Sequence, residues 1–239
     1  MFNTSTLYTR LKAHDIACRE LVSMANYTTM KVGGIASLVA FVNSAEQLIK
    51  AVREANNLNV RFAVVGNGSN VVFSDRGYHG LVIITTGMKS FTIEDNIIKA
   101  DCGASITRLA AEAQRAGLSG IEFTYGIPGT VGGGVYMNAG AYGGSLSDVV
   151  VSSICLDTQN QTIRKIDLEE HEFSYRHSIY TKNPNLVILA AMMELTYGDK
   201  NQIATQMNEH IRARKEIQPL EFQAQEAFSS VPSAIMQES

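Results

Sequence analysis

The run Y-G-I-P-G-T-V-G-G-G-V-Y-M-N-A-G-A-Y-G-G, Tyr125 to Gly144, has glycine at eight of its twenty positions: Gly126, Gly129, Gly132, Gly133, Gly134, Gly140, Gly143 and Gly144. Each glycine costs conformational entropy on folding, so a run this rich points to close approach of the backbone to a ligand. Asn138 and Tyr142 can hydrogen-bond to a planar ring or stack on it, and the run holds no acid to repel phosphates. The chemistry this suits is the cradling of a nucleotide cofactor.

Three further segments carry candidate chemistry. In V-V-G-N-G-S-N, Val64 to Asn70, a strand running into Gly66, Asn67 and Gly68 can turn sharply and leave successive N–H groups clear. That is a nest suited to pyrophosphate, with Ser69 and Asn70 adding donors. A plain glycine hairpin turn fits the same residues. In S-Y-R-H-S, Ser174 to Ser178, Arg176 between Tyr175 and His177 can hold a carboxylate through two parallel hydrogen bonds. Alone, it reads first as an ordinary surface strand, with His177 as a hydrogen-bonded structural imidazole. In R-A-R-K-E-I-Q-P-L-E, Arg212, Arg214 and Lys215 suit a diphosphate, or simply a solvated helix end.

The elements that position these residues are short strands and scattered helices. Ser44 caps a helix running to Leu58, with Gln47 completing a capping box and Ala45, Leu48, Ile49 and Val52 as its apolar stripe. Helices are also expected at Ser5–Ala17, at Ser105–Ala116 with a stop at Gly117, and at Asp199–Ile217. Strands are expected at 38–42, 61–65, 71–73, 81–85, 149–156, 162–167 and 187–197. Phe91–Asp95 and Ile97–Asp101 read as a hairpin. This mix argues for an α+β fold over a doubly wound sheet.

The chain has 239 residues, 45% of them hydrophobic, and a net charge of -3. That suffices for one large domain or two small ones and gives no field for a nucleic acid partner. Cys18, Cys102 and Cys155 lack metal-ligand spacing, so no metal is expected. No leader pattern and no apolar run near the roughly 18 residues needed for a membrane span is present, and a cytoplasmic location is expected.

Taken together and in this order, N-Y-T-T-M-K-V-G-G from Asn26, V-V-G-N-G-S-N, the glycine run, F-S-Y-R-H-S-I-Y and Q-P-L-E-F resemble the UDP-N-acetylenolpyruvoylglucosamine reductase family of peptidoglycan synthesis. The resemblance implies a two-lobed FAD-binding domain of the vanillyl-alcohol-oxidase (PCMH-type) kind, followed by a third, substrate-binding domain. It implies FAD as cofactor, NADPH as reductant and a UDP-sugar substrate. A hydride goes to the enolpyruvyl β-carbon, a serine protonates the α-carbon, and an arginine and a glutamate stabilise the carboxylate intermediate. Arg176 matches that arginine, and Tyr175 and Arg214 fall on the substrate side. The cofactor positions are Gly66, Asn67, Gly68, Ser69, Asn70, Gly126, Pro128, Gly129, Thr130, Gly132, Gly133, Asn138, Gly140, Ala141 and Tyr142. The implied partition is an N-terminal helical segment 1–25, the FAD domain 26–200, a connecting helix 201–221 and a tail 222–239. Oligomeric state is left open.

The match breaks after Q-P-L-E-F, where the family continues P-S-A-G-S-x-F-K. Here Glu226 and Ala227 stand in place of Gly and Ser, and an alanine methyl donates no proton. Codons permitted for residues from Phe222 onward read F-P-S-A-G-S-V-F-K-R-P after one inserted base. A single-base loss near codon 223 is therefore expected, with a disordered tail and without the third domain and its glutamate. The alternative is a non-catalytic FAD-binding protein.

Overall fold

A computed structural model describes residues 3–217, which fall into two compact units divided between Gly87 and Met88. The first contains α1 (Thr4–Ala13), β1 (Ala17–Ser23), β2 (Ile35–Phe41), α2 (Ala45–Asn57), β3 (Phe62–Val65) and β4 (Tyr78–Ile84). Its sheet runs β1-β2-β4-β3, with β1 antiparallel to β2 and both β2 and β3 parallel to β4. The helix α2 forms where Leu48, Ala51, Val52 and Ala55 recur on one face, and all four are buried. Ser44 Oγ accepts from the Gln47 amide at 3.2 Å. The return arm of the cap reaches one residue further back than expected, Gln47 Oε1 accepting from Asn43 N at 2.8 Å.

Two expectations fail in this unit. The first helix stops at Ala13, and Ala17–Ser23 is a strand bonded to β2, so residues 1–25 are not simply a helical segment. As an edge strand β1 keeps most of its side chains exposed, so it lacks the alternation by which strands are recognised. Residues 71–73 form no strand, although Phe73 is buried edge-to-face against Tyr78 at 6.1 Å. Core packing accounts for Phe73, while Val72 beside it is exposed.

The second unit contains β5 (Phe91–Glu94), β6 (Ile97–Asp101), α3 (Ile106–Ala116), β7 (Leu118–Ser119), α4 (Val131–Tyr136), β8 (Gly140–Ala141) and β9 (Gly144–Ser145). After these come β10 (Val150–Asp157), β11 (Thr162–Asp167), α5 (Ile179–Lys182), β12 (Leu186–Glu194), β13 (Thr196–Tyr197) and α6 (Lys200–Ile217). Its main sheet is antiparallel in the order β11-β10-β12-β6-β5. The predicted hairpin is present, with Asp95 left-handed at its turn (φ 54°). Ser105 caps α3, accepting from Arg108 N at 3.3 Å, and left-handed Gly117 ends it. The last expected strand breaks in two, because Leu195 N bonds Asn96 O and β13 then pairs with β7.

The helix α4 is the element the sequence hides. V-G-G-G-V-Y is a poor helix former, since each interior glycine costs about 1 kcal/mol relative to alanine. Bonds to the rest of the unit supply what propensity lacks. Val131 N bonds Ala104 O at 2.9 Å, Gly132 N bonds Cys102 O at 2.7 Å, and Thr130 Oγ1 caps Gly133 N at 3.4 Å.

Candidate functional site

Most glycines of the 125–144 run answer to the protein's own packing. A methyl on Gly132 would lie 2.8 Å from Cys102 Cβ, one on Gly134 2.7 Å from Leu146 Cδ1, and one on Gly144 2.6 Å from Phe123 Cδ1. A methyl on Gly126 would meet Ile211 Cδ1 of α6 at 2.6 Å, with the aliphatic stem of Arg214 at 3.9 Å. Close approach of the backbone is therefore real, but largely to other protein atoms. Gly133 differs. It is exposed, its φ is ordinary, and a methyl there would touch only Thr130 Oγ1, at 3.5 Å. Nothing within the described residues requires glycine at this position, so an open backbone there fits a cofactor that a Cβ would displace.

The side chains of the run are more committed than the sequence suggests. Helix α4 ends in a Schellman motif, with Ala139 N bonded to Gly134 O at 2.8 Å and Asn138 N to Val135 O at 3.3 Å. Asn138 occupies the left-handed position (φ 42°) and is 7% exposed. Its Oδ1 accepts from Ser147 N at 2.9 Å, and its Nδ2 donates to Ser174 O at 3.0 Å and Ser147 Oγ at 3.3 Å. Gly140 and Ala141 pair with Ser145 and Gly144 around a tight turn at Tyr142 and Gly143, both with positive φ. The Tyr142 ring stacks on His210 of α6 at 4.4 Å, so one of its faces is already covered.

The S-Y-R-H-S segment is a turn, where a surface strand was the bland expectation. Ser174 and His177 exchange backbone hydrogen bonds of 3.2 and 3.1 Å, which puts Tyr175 and Arg176 at the tip. Arg176 has φ 53°, at the position where a turn of this kind favours glycine. Its guanidinium lies 5.5 Å from the centre of the Tyr175 ring, and Tyr175 is 81% exposed. The turn is fastened to the glycine run twice, by Asn138 at Ser174 O and by Ser178 Oγ donating to Tyr136 O at 2.7 Å.

Sequence reasoning missed the residues behind this turn. Ser153 Oγ on β10 lies 2.7 Å from His171 Nε2 and 2.6 Å from the Tyr180 hydroxyl, so it anchors both flanks of the segment. All three residues are fully buried. Burial pushes the Tyr180 phenol up and the His171 imidazole down, which fits a structural hub rather than a nucleophile. No local pattern announces it, because its members are scattered over 27 residues.

In the first unit, the 66–70 loop follows β3. Gly68 is left-handed (φ 65°), and a methyl there would lie 2.0 Å from Tyr27 O. Its own carbonyl accepts from Thr29 N at 3.1 Å. Gly68 is thus required for packing against the 27–29 segment. Asn67 and Asn70 are exposed, with Gly66 and Ser69 half-buried between and beside them. Ala227 and the tail lie outside the described residues.

Each of the two α+β units carries one of these glycine-rich loops. A family profile described as an FAD binding domain matches residues 36–167. UDP-N-acetylenolpyruvoylglucosamine reductase of Lactobacillus helveticus is 40% identical over 212 residues, covering 89% of this chain and 70% of that protein. The enzyme of the same name from Caldicellulosiruptor bescii is 42% identical over 201 residues, covering 83% of this chain and 63% of that one. The chain therefore spans about two thirds of the length of these relatives. The crystal structure of the corresponding reductase from Thermus caldophilus superposes with a TM-score of 0.70 at 30% identity, over 84% of this chain and 69% of that one. Acremonium strictum glucooligosaccharide oxidase shares the fold alone, with a TM-score of 0.61 at 15% identity over 80% of this chain and 42% of that one. The chain belongs to the UDP-N-acetylenolpyruvoylglucosamine reductase family. Among the described residues, no helix is long and apolar enough to cross a membrane.

Proposed function

We propose that the chain holds FAD for the NADPH-dependent reduction of UDP-N-acetylglucosamine enolpyruvate to UDP-N-acetylmuramate, a cytoplasmic step of peptidoglycan synthesis. The observation that carries this reading is Arg176, held in a left-handed conformation on a turn that is bonded to the glycine run. Strain of this kind costs about 1–3 kcal/mol and clusters at functional sites.

The chemistry that bound FAD supplies is transfer of a hydride, taken from NADPH, to the enolpyruvyl double bond. The open backbone at Gly133 would admit the cofactor, with the neighbouring residues from Pro128 to Tyr142 as its cradle in this unit; the loop Gly66–Asn70 of the first unit is read separately, as a nest for phosphate. Arg176 pairs with the substrate carboxylate and with the charge that grows on it, an electrostatic role in which a preformed cation needs no reorganisation. Tyr175 lies beside that carboxylate, and Arg214 serves the diphosphate. Protonation at the α-carbon needs an acid, and the alanine at 227 supplies none. Loss of a general acid lowers turnover about a hundredfold to ten-thousandfold.

Spectroscopy of the purified chain tests the reading. FAD uptake is expected, with bleaching by NADPH and a flavin band perturbed by the enolpyruvyl UDP-sugar in wild type but not in Arg176→Ala. Ala227 favours a second reading, a flavin-binding protein without catalysis, for which FAD is taken up but the substrate perturbs nothing. A chain that takes up no FAD contradicts both.

A further inference from the structure

We infer that Asn138 is a positioning residue that makes the cofactor cradle and the Arg176 turn move as one body, so that filling the cradle orders the turn. The inference rests on the reading that the glycine run holds FAD.

The argument begins with the Schellman motif at the end of α4. Its left-handed position is the natural place for glycine, and asparagine is tolerated there at some cost in backbone strain. The backbone alone therefore does not explain Asn138. Its side chain does, because both ends of the amide are used. Oδ1 faces Ser147 N, which can only donate, and Nδ2 faces Ser174 O, which can only accept. The network thus fixes the orientation of the amide, with no equivalent arrangement after a flip.

The segments that this amide joins are far apart in sequence. Asn138 lies 36 residues from Ser174, and five residues beyond Gly133 at the open end of the cradle. Ser174 is one half of the backbone pair that closes the Tyr175–Arg176 turn. Ser178 bonds Tyr136 O from the other side of that pair, so the turn is held at both feet by the last turn of α4 and the residue that caps it. A buried amide donor or acceptor left without a partner forfeits its hydrogen bonds to water with nothing in return. That penalty opposes any motion of the turn that leaves α4 behind. A cofactor that narrows the positions open to α4 narrows those of the turn through this bond, and a carboxylate held at Arg176 tightens the cradle in return.

Two variants separate this role from a merely structural one. Asn138→Gly keeps the left-handed backbone without strain and removes the whole amide. Asn138→Asp keeps the acceptor for Ser147 N and replaces the donor to Ser174 O. Amide hydrogen exchange at Ser174 and His177 is followed with and without saturating FAD, alongside FAD affinity by quenching of flavin fluorescence. In wild type, FAD is expected to slow exchange at both amides about fivefold or more, the lower end of common coupling energies. In both variants, brought to saturation with FAD, the slowing is lost. Slowing that persists in the variants overturns the inference, as does its absence in wild type with FAD bound. A drop in FAD affinity beyond about tenfold with the slowing intact makes Asn138 a cofactor contact instead. A wild-type chain that takes up no FAD overturns the reading of the cradle first.

Discussion

In the first unit a methyl on Gly68 would sit 2.0 Å from a carbonyl oxygen, and Asn67 and Asn70 of its loop are exposed. In the second, a methyl on Gly133 would meet only a hydroxyl at 3.5 Å, and the side chains around it are bonded inward. Gly68 is fixed by packing against the 27–29 segment, as most glycines of the 125–144 run are by their own neighbours, and Gly133 is not. Glycine therefore does different work in two motifs that look alike on paper. In one it lets two protein segments touch. At Gly133 of the other, it leaves room for something else.

Substitutions in the two loops should separate these roles. Gly68→Ala should have the largest effect, about 2–5 kcal/mol lost from a left-handed alanine driven into a carbonyl. The chain has no tryptophan, so far-UV circular dichroism during urea unfolding is the suitable readout. A stable Gly68→Ala protein would break the comparison. Asn138→Gly should follow at about 1–3 kcal/mol for the unsatisfied groups it leaves, partly offset by relief of strain. Its counterpart in the first unit, Asn70→Ala, should stay within about 0.5 kcal/mol, as expected for an exposed side chain.

The units should also differ in their response to acid. Burial holds His171 below its ordinary value of 6.5, so the unfolded chain binds the extra proton first. The stabilisation is present above pH 6.5 and is lost as the pH falls from there toward the lowered value. In the first unit, the hydrogen bond from Arg10 to Glu54, 2.9 Å long, holds that carboxyl below its ordinary 4.5. Its contribution is kept until the pH falls below 4.5. Between pH 7 and 5, the protection of β10 and β12 amides, corrected for the intrinsic pH dependence of exchange, should therefore fall while that of β2 and β4 amides holds. His171→Gln, which can still hydrogen-bond Ser153, should flatten the response of the second unit.

The sequence made some of this legible and not the rest, for physical reasons. Capped, amphipathic elements such as α2 and α3 announce themselves because their stabilising contacts are three or four residues apart. The edge strand β1 and the glycine helix α4 do not, since both are held by partners distant in the chain. Among the site residues, Arg176 was found by its type and its neighbours Tyr175 and His177. The role of Asn138 was not, because a residue 36 positions away decides what its amide does. The Ser153 hub escaped for the same reason.

FAD titration of Gly133→Ala tests the central claim most directly. A methyl at this position fits the protein and improves helix propensity by about 1 kcal/mol, so the melting temperature should hold or rise. If the open backbone faces the cofactor, FAD affinity should fall about tenfold or more, the usual consequence of crowding a packed contact. An unchanged affinity in a protein that melts no lower than wild type would contradict the placement of the cofactor against Gly133.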